Sequence, residues 1–137
     1  GTEVLGDPAY REKLLPITGE IAENIYNTAY KNHSLMNECE RGVDDTTRVW
    51  WVQAEAVVGF LNAWQKKPEE TKYLDAAKDI WGYIKEYVID KREGSEWFWC
   101  VNADGSPIHE PIVEPWKCPY HNGRMCMEVI RRLSTQQ

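Results

Sequence analysis

Residues 49–61 constrain the fold of this chain most, because they are apolar on nearly every side of a helix. The apolar residues are Val49, Trp50, Trp51, Val52, Ala54, Ala56, Val57, Val58, Phe60 and Leu61. A helix of this kind needs neighbours on most of its sides and cannot lie on a protein surface. We therefore predict a buried helix that Asp44 or Asp45 caps and that ends near Trp64.

The spacing of apolar residues predicts three further helices, one before this segment and two after it. The first covers residues 7–30, where Pro16 implies a kink or a later start. The two helices after the buried segment cover residues 68–88 and residues 119–133. Each of the last two opens at a proline, which the first turn of a helix tolerates.

Short β-prone segments separate the helices within each pair, at residues 34–40 and 96–101. Residues 38–40 of the first unit correspond to residues 96–98 of the second, and a repeated two-helix unit is typical of toroids and solenoids. We predict an all-α fold, a segment of an (α/α) barrel or toroid made of repeated helical hairpins with short β-hairpin strands. Residues 1–137 would form a single domain with hairpin units at about 7–66 and 68–134. Two hairpins cannot close a ring, so the chain looks incomplete.

Charge and cysteine usage exclude several classes of protein. The net charge of −6 disfavours a nucleic-acid partner, since such proteins neutralise phosphates. No apolar run approaches the roughly 18 residues that span a membrane. The four cysteines include no CxxC pair, so we predict neither a disulfide scaffold nor a metal site, although Cys118 and His121 form a C-x2-H. Reduced thiols favour a cytoplasmic protein.

The segment Trp-Lys-Cys-Pro-Tyr-His-Asn-Gly-Arg at residues 116–124 carries the clearest chemistry. Its proline can open a helix, which places His121 in the first turn, at the positive end of the helix dipole. That position disfavours the protonated ring and keeps the imidazole available as a base. Arg124 lies three residues on, on the same face, where it can hold an oxyanion or a sugar hydroxyl.

A second set of polar residues lies at the start of the apolar helix. Arg48, Trp51 and Glu55 have i, i+3, i+7 spacing and would form one stripe. Glu55 is costly in so apolar a helix unless it is paired, and a salt bridge with Arg48 or another arginine is the structural alternative. Trp51, one turn away, can stack on a sugar ring, which favours a carbohydrate site with proton chemistry. His33 has no such cluster around it, nor has His109, and we treat both as background.

Residues 48–56 (RVWWVQAEA) and 116–126 (WKCPYHNGRMC) resemble the C-terminal part of the cellobiose 2-epimerases, relatives of the N-acylglucosamine 2-epimerases and mannose isomerases. The resemblance implies a barrel of two concentric rings of helices with the sugar in the central hole. It also implies that His121 is a catalytic acid/base, and that the sugar is bound by Trp50, Trp51, Glu55 and Arg124. The implied reaction inverts C2 of the reducing-end sugar through an enediolate, with no cofactor and no metal.

One departure from the family limits what this chain can do alone. The second catalytic histidine of these enzymes lies on an earlier helix, in a motif that this sequence does not contain. We therefore expect the 137-residue chain to be inactive by itself, with a disaccharide or monosaccharide as substrate of its parent. Its expected partner is a second copy or a missing N-terminal part of the barrel. The alternatives are a non-catalytic sugar-binding or helical interaction module and, within the family, an N-acylglucosamine 2-epimerase or a mannose isomerase.

Overall fold

The computed structural model describes residues 4–134, which form four α-helices joined by short antiparallel strands. In chain order the elements are α1 (Pro8–Thr28), β1 (Tyr30–Lys31), β2 (Ser34–Leu35), β3 (Glu38–Glu40), β4 (Val43–Asp45), β5 (Arg48–Val49), α2 (Trp50–Lys66), α3 (Thr71–Tyr83), β6 (Cys100–Val101), β7 (Pro107–Ile108) and α4 (Tyr120–Ser134). The predicted helix-rich architecture and its alternation of helices with strands are confirmed. No helix within residues 4–134 is long and apolar enough to cross a membrane.

Helix α1 begins where its sequence predicts. Asp7 is the N-cap, and its carboxylate accepts a hydrogen bond of 2.9 Å from the backbone N–H of Ala9. The helix continues past Pro16, so the later start, one of the two predicted consequences of that proline, is wrong. Pro16 lies on an exposed face of α1. There, water can satisfy the carbonyl of Glu12, which loses its helical hydrogen bond.

Helix α2 is the buried helix that its apolar sequence predicts, and it contacts the other three helices. Seven of its residues are buried: Trp50, Gln53, Ala54, Val57, Val58, Phe60 and Leu61. The amide of Gln53 replaces a strand partner, because it accepts from the N–H of Leu35 and donates to the carbonyl of Leu35, both at 2.8 Å. A buried polar side chain is tolerated when its hydrogen bonds are made in this way.

The predicted cap of α2 is wrong. The helix begins at Trp50 with Val49 as its N-cap residue, and no side chain caps it. Asp45 instead lies in β4, where its carboxylate accepts from the N–H of Thr47 at 2.9 Å and shapes the turn into β5. Asp44 pairs with Cys39 in the β3–β4 hairpin. Pairing of β5 with β6 keeps residues 48–49 extended, so the helix starts later than its local sequence suggests.

A three-stranded antiparallel sheet joins the two halves of the chain. Strand β6 lies in its centre, with Arg48 opposite Val101 on one side and Ile108 opposite Cys100 on the other. The predicted correspondence of residues 38–40 with 96–98 is only approximate. The second segment contributes an isolated bridge from Trp97 to Ile89. This sheet places the start of α2 beside residues 99–101, and the N–H of Trp50 bonds the carbonyl of Trp99 at 3.0 Å.

The predicted helix at residues 68–88 is shorter and ends differently. Helix α3 begins at Thr71 and passes at Tyr83 into a π-helical turn, Ile84–Val88. The N–H of Ile89 bonds the carbonyl of Ile84 at 3.0 Å, and the carbonyl of Val88, at the end of the helix, accepts from the N–H of Phe98 at 2.8 Å. The chain can therefore leave the helix and continue directly toward β6.

Candidate functional site

Glu55 joins two residues of α4 that lie far away in the sequence. Its Oε1 atom lies 2.8 Å from Nδ1 of His121 and 3.3 Å from Nε of Arg124. Its Oε2 atom accepts from Nη2 of Arg124. Arg124 therefore binds the carboxylate with two parallel N–H groups, the strongest geometry for this pair of residues. About a third of each of the three side chains is exposed.

The packing of α2 against α4 brings these groups together. His121 is the second residue of α4, and the N–H of Gly123 bonds the carbonyl of Pro119 at 3.0 Å, which closes the first turn. The predicted position of His121 in a first helical turn is confirmed. Arg124 is one turn further along on the same face, as predicted, and both side chains reach the one carboxylate.

Three aromatic rings surround the imidazole of His121. Their centroids lie 5.4 Å from it for Trp50, 5.7 Å for Trp51 and 5.0 Å for Tyr120. Trp50 and Tyr120 meet it edge to face. Trp51 is 44% exposed and Tyr120 is 62% exposed, so both present ring surface to solvent beside the imidazole. Amphipathic rings exposed next to polar groups are suited to stacking on sugars.

The contact with Glu55 selects the tautomer of His121. A carboxylate accepts hydrogen bonds, so the nitrogen facing it, Nδ1, carries the proton in the neutral ring. The lone pair is then on Nε2, which no side chain within residues 4–134 engages. A neutral imidazole held in this way can act as a general base.

Arg48 does not belong to this site, contrary to the predicted stripe. It lies in β5 and not in the helix, so its helical spacing to Trp51 and Glu55 does not apply. Its guanidinium is 1% exposed, donates from Nε to Ser34 Oγ at 2.7 Å, and also bonds the carbonyl of Thr46. Burial lowers the pKa of this group. The alternative pairing of Glu55 with another arginine is confirmed, and that arginine is Arg124.

The ring of Trp50 contacts His121, but it is buried and not part of the surface. Its side chain is 1% exposed, so the predicted direct contact of Trp50 with a sugar does not fit its burial. Its indole packs beneath the imidazole, while Trp51, the next residue of α2, is on the open side. Adjacent helix residues point about 100° apart, which separates these two roles.

Sequence reasoning missed three residues behind the imidazole. Lys117 is fully buried and forms a salt bridge with Glu96, and the amide of Asn122 donates to the same carboxylate. Lysine is almost never buried unless it is paired, so its residue type predicted an exposed position for Lys117. Its place within the motif at residues 116–124 was the signal in the sequence that could have drawn attention to it. The background histidine His33 lies elsewhere and bonds Asp79 of α3 at 2.8 Å.

Comparison with known proteins identifies relatives of this chain. The model of the N-acylglucosamine 2-epimerase (GlcNAc 2-epimerase) family matches residues 6–124. A cellobiose 2-epimerase from Ruminococcus albus is 52% identical over 131 residues, which are 95% of this chain and 33% of that protein. One from Eubacterium cellulosolvens is 48% identical over 128 residues, 93% of this chain and 31% of that protein.

Solved structures agree with these sequence matches. The crystal structure of a sugar epimerase from a ruminal bacterium superposes with a TM-score of 0.92 at 51% identity, covering 96% of this chain and 34% of the other. The cellobiose 2-epimerase of Bacillus thermoamylovorans superposes with a TM-score of 0.85 at 48% identity, covering 96% and 33%. The chain therefore spans about a third of the length of the relatives it matches.

Proposed function

This chain belongs to the N-acylglucosamine 2-epimerase family, and from that premise we propose that it forms part of the active site of a disaccharide 2-epimerase. The whole protein would invert C2 of the reducing-end sugar and so convert cellobiose to glucosyl-mannose. The names of the relatives at about half identity support this substrate class. The second acid/base residue and the rest of the sugar cavity would come from the part of the relatives that this chain does not match.

The single observation that carries the proposal is the shared contact of Glu55 with His121 and Arg124. One carboxylate contacts both a candidate base and a cation, and the exposed ring of Trp51 lies beside that base. A base can remove a proton from a sugar carbon, a cation can stabilise the oxyanion that forms, and a stacking ring can hold the sugar in place.

In the proposed reaction, His121 exchanges a proton with C2 of the ring-opened sugar. Nε2 takes the C2 proton, the C–H electron pair forms the C1–C2 double bond, and the carbonyl π electrons move to O1 as an enediolate. Arg124 stabilises that negative charge, because two of its N–H groups hold Glu55 and others remain for the oxyanion. Return of a proton to the opposite face of C2, from a group outside this chain, completes the inversion.

Aromatic residues would hold the sugar rings beside His121. Trp51 and Tyr120 flank the imidazole with exposed faces. Trp116, five residues before His121, is 84% exposed and offers a further platform on the same segment. Trp50, being buried, would support the imidazole from below and not touch the sugar.

The same proposal includes the predicted (α/α) barrel and the predicted cytoplasmic location of the protein. Two apolar grooves of about 550 and 490 Å³ flank α2, one bordered by α3 and α4 and the other by α1. Further helical hairpins packed on these sides would extend the hairpin series into an (α/α) barrel. All four cysteines are unpaired, which supports the expected cytoplasmic location.

A chimera provides the test. This chain would replace the matched 131 residues of the Ruminococcus albus enzyme, and the chimera would be incubated with cellobiose in deuterated water. We expect C2 deuterium exchange and glucosyl-mannose, with loss of both in the His121→Asn variant. A folded chimera that binds cellobiose without exchanging its C2 proton would indicate the non-catalytic sugar-binding alternative. Ketose as the main product would indicate an isomerase.

A further inference from the structure

We propose that Lys117 is a positioning residue for His121 and acts through a buried network with Glu96, Asn122 and Trp50. The inference deepens the proposed function, because it concerns the orientation of the residue that would serve as the base. None of these four side chains has to touch the sugar. Their role would be to keep Nδ1 of the imidazole on Glu55 and Nε2 toward the open space.

Lys117 is the least expected member of the network. It is 0% exposed, although it lies in the irregular segment between β7 and α4. Its backbone N–H and carbonyl both pair with Glu114, at 3.0 and 3.1 Å, which holds the main chain locally. Removal of a lysine charge from water is unfavourable unless that charge is paired. The buried position of Lys117 therefore implies that its interactions with neighbouring groups offset the free energy of removing its charge from water.

Glu96 connects the lysine to the start of α4. Its carboxylate binds Nζ of Lys117 through one oxygen and accepts from the side-chain amide of Asn122 through the other. Asn122 is 8% exposed and directly follows His121. Its own Oδ1 accepts from the N–H of Gly123 at 3.1 Å. The carboxylate thus ties the first turn of α4 to the segment before β6.

Trp50 connects the lysine to the imidazole itself. Nζ of Lys117 lies 4.6 Å from the centroid of the Trp50 ring, and the same ring meets His121 at 5.4 Å. An ammonium over an aromatic face is attracted by the ring quadrupole. Within residues 4–134 the indole Nε1 atom has no hydrogen-bond partner, so the cation and the packing are what orient this ring. The backbone N–H of Trp50 bonds the carbonyl of Trp99 at 3.0 Å.

The network therefore controls two of the surfaces that hold His121. Asn122 fixes the backbone of the turn from which the imidazole projects. Trp50 packs its ring against the imidazole. Loss of Lys117 would leave Glu96 without its cation and let the indole reorient. The imidazole would then no longer be restricted to one orientation on Glu55, and both neutral tautomers would be populated.

Two variants of the 137-residue chain test this without any activity measurement. Lys117→Met removes the cation, and Asn122→Leu removes the tie to Glu96 while it leaves Lys117 in place. Lys72→Met is the matched control, because Lys72 also pairs with a carboxylate, that of Glu23, and lies 5.0 Å from the ring of Tyr73. Long-range nitrogen–proton NMR correlations of the His121 ring, recorded where the ring is neutral, report its tautomer and its aromatic surroundings.

We expect a single Nδ1–H tautomer in the unaltered chain and in Lys72→Met, and a mixture with displaced ring-proton signals in the two network variants. Unchanged His121 signals in folded Lys117→Met and Asn122→Leu would overturn the proposal. Should Lys117→Met not fold, Asn122→Leu decides alone.

In an active chimera, Lys117→Met should lower kcat and leave KM nearly unchanged. If the chimera is inactive but the His121 signals change in the two network variants, the proposed function is wrong and the positioning role stands. If the chimera is active but the His121 signals do not change in those variants, the positioning role is wrong and the proposed function stands.

Discussion

The carboxylate of Glu55 lies 2.8 Å from Nδ1 of His121, which is 66 residues away in the sequence. The contact leaves Nε2 as the basic nitrogen. In the chimera, we expect Glu55→Gln to lower kcat/KM by about tenfold or more, since a misoriented base loses part of the ~10²–10⁴-fold that acid/base catalysis contributes. Steady-state rates on cellobiose measure this effect. Glu69→Gln, on an exposed residue, is the control, and equal rates for both variants would contradict the assigned role.

The stability of the chain should depend on Glu23 in acid. Hydrogen bonds from Lys72, Tyr73 and Asn27 lower the pKa of Glu23 from 4.5 to about 2. Because the folded-state pKa is the lower one, the stabilisation is fully present above pH 4.5 and is lost as the pH falls through about 2. We expect the free energy of unfolding of Glu23→Gln to change less over this window than that of the unaltered chain. Urea titrations at a series of pH values measure it, and parallel curves would refute the assignment.

Gly105 should not tolerate a side chain. Its φ is +86°, and a Cβ atom there would overlap the ring of Tyr87 in the π-helical turn. We expect Gly105→Ala to destabilise the fold by about 2–4 kcal/mol, from left-handed backbone and overpacking together. Gly82→Ala in α3 is the control, because its Cβ would meet nothing within 4 Å and alanine favours helices by about 1 kcal/mol. Denaturant unfolding compares the two.

The exposed apolar side of α4 should drive self-association of the isolated chain. Met127 and Ile130 are each 67% exposed, and Leu133 is 46% exposed. Exposed apolar patches of this kind are typical of contact surfaces. We expect light scattering to detect dimers or a mixed population that Ile130→Glu shifts toward monomer. Val43→Glu, at an exposed position in the β3–β4 hairpin, should not do so. A clean monomer at high concentration would exclude this behaviour.

Local pattern was enough to predict the helices and several candidate residues. The apolar run of α2 required burial, and Pro119 with the residues after it predicted a helix start that places His121 in a first turn. The failures have a local physical cause. Asp45 has the chemistry of a helix cap, but strand pairing extends residues 48–49 and moves the start of α2 to Trp50. Arg48 lost its predicted place for the same reason.

Sequence by itself therefore determined which segments are helical, which helix is buried and which residues are candidates for proton chemistry. Those properties follow from side-chain periodicity and from interactions within one or two helical turns. Only the tertiary structure decided that Glu55 pairs with His121 and Arg124, that Trp50 is buried while Trp51 is exposed, and that Lys117 lies in the interior beside Glu96. These relationships depend on how α2 and α4 pack against each other, and no local pattern encodes the rotation of one helix against another.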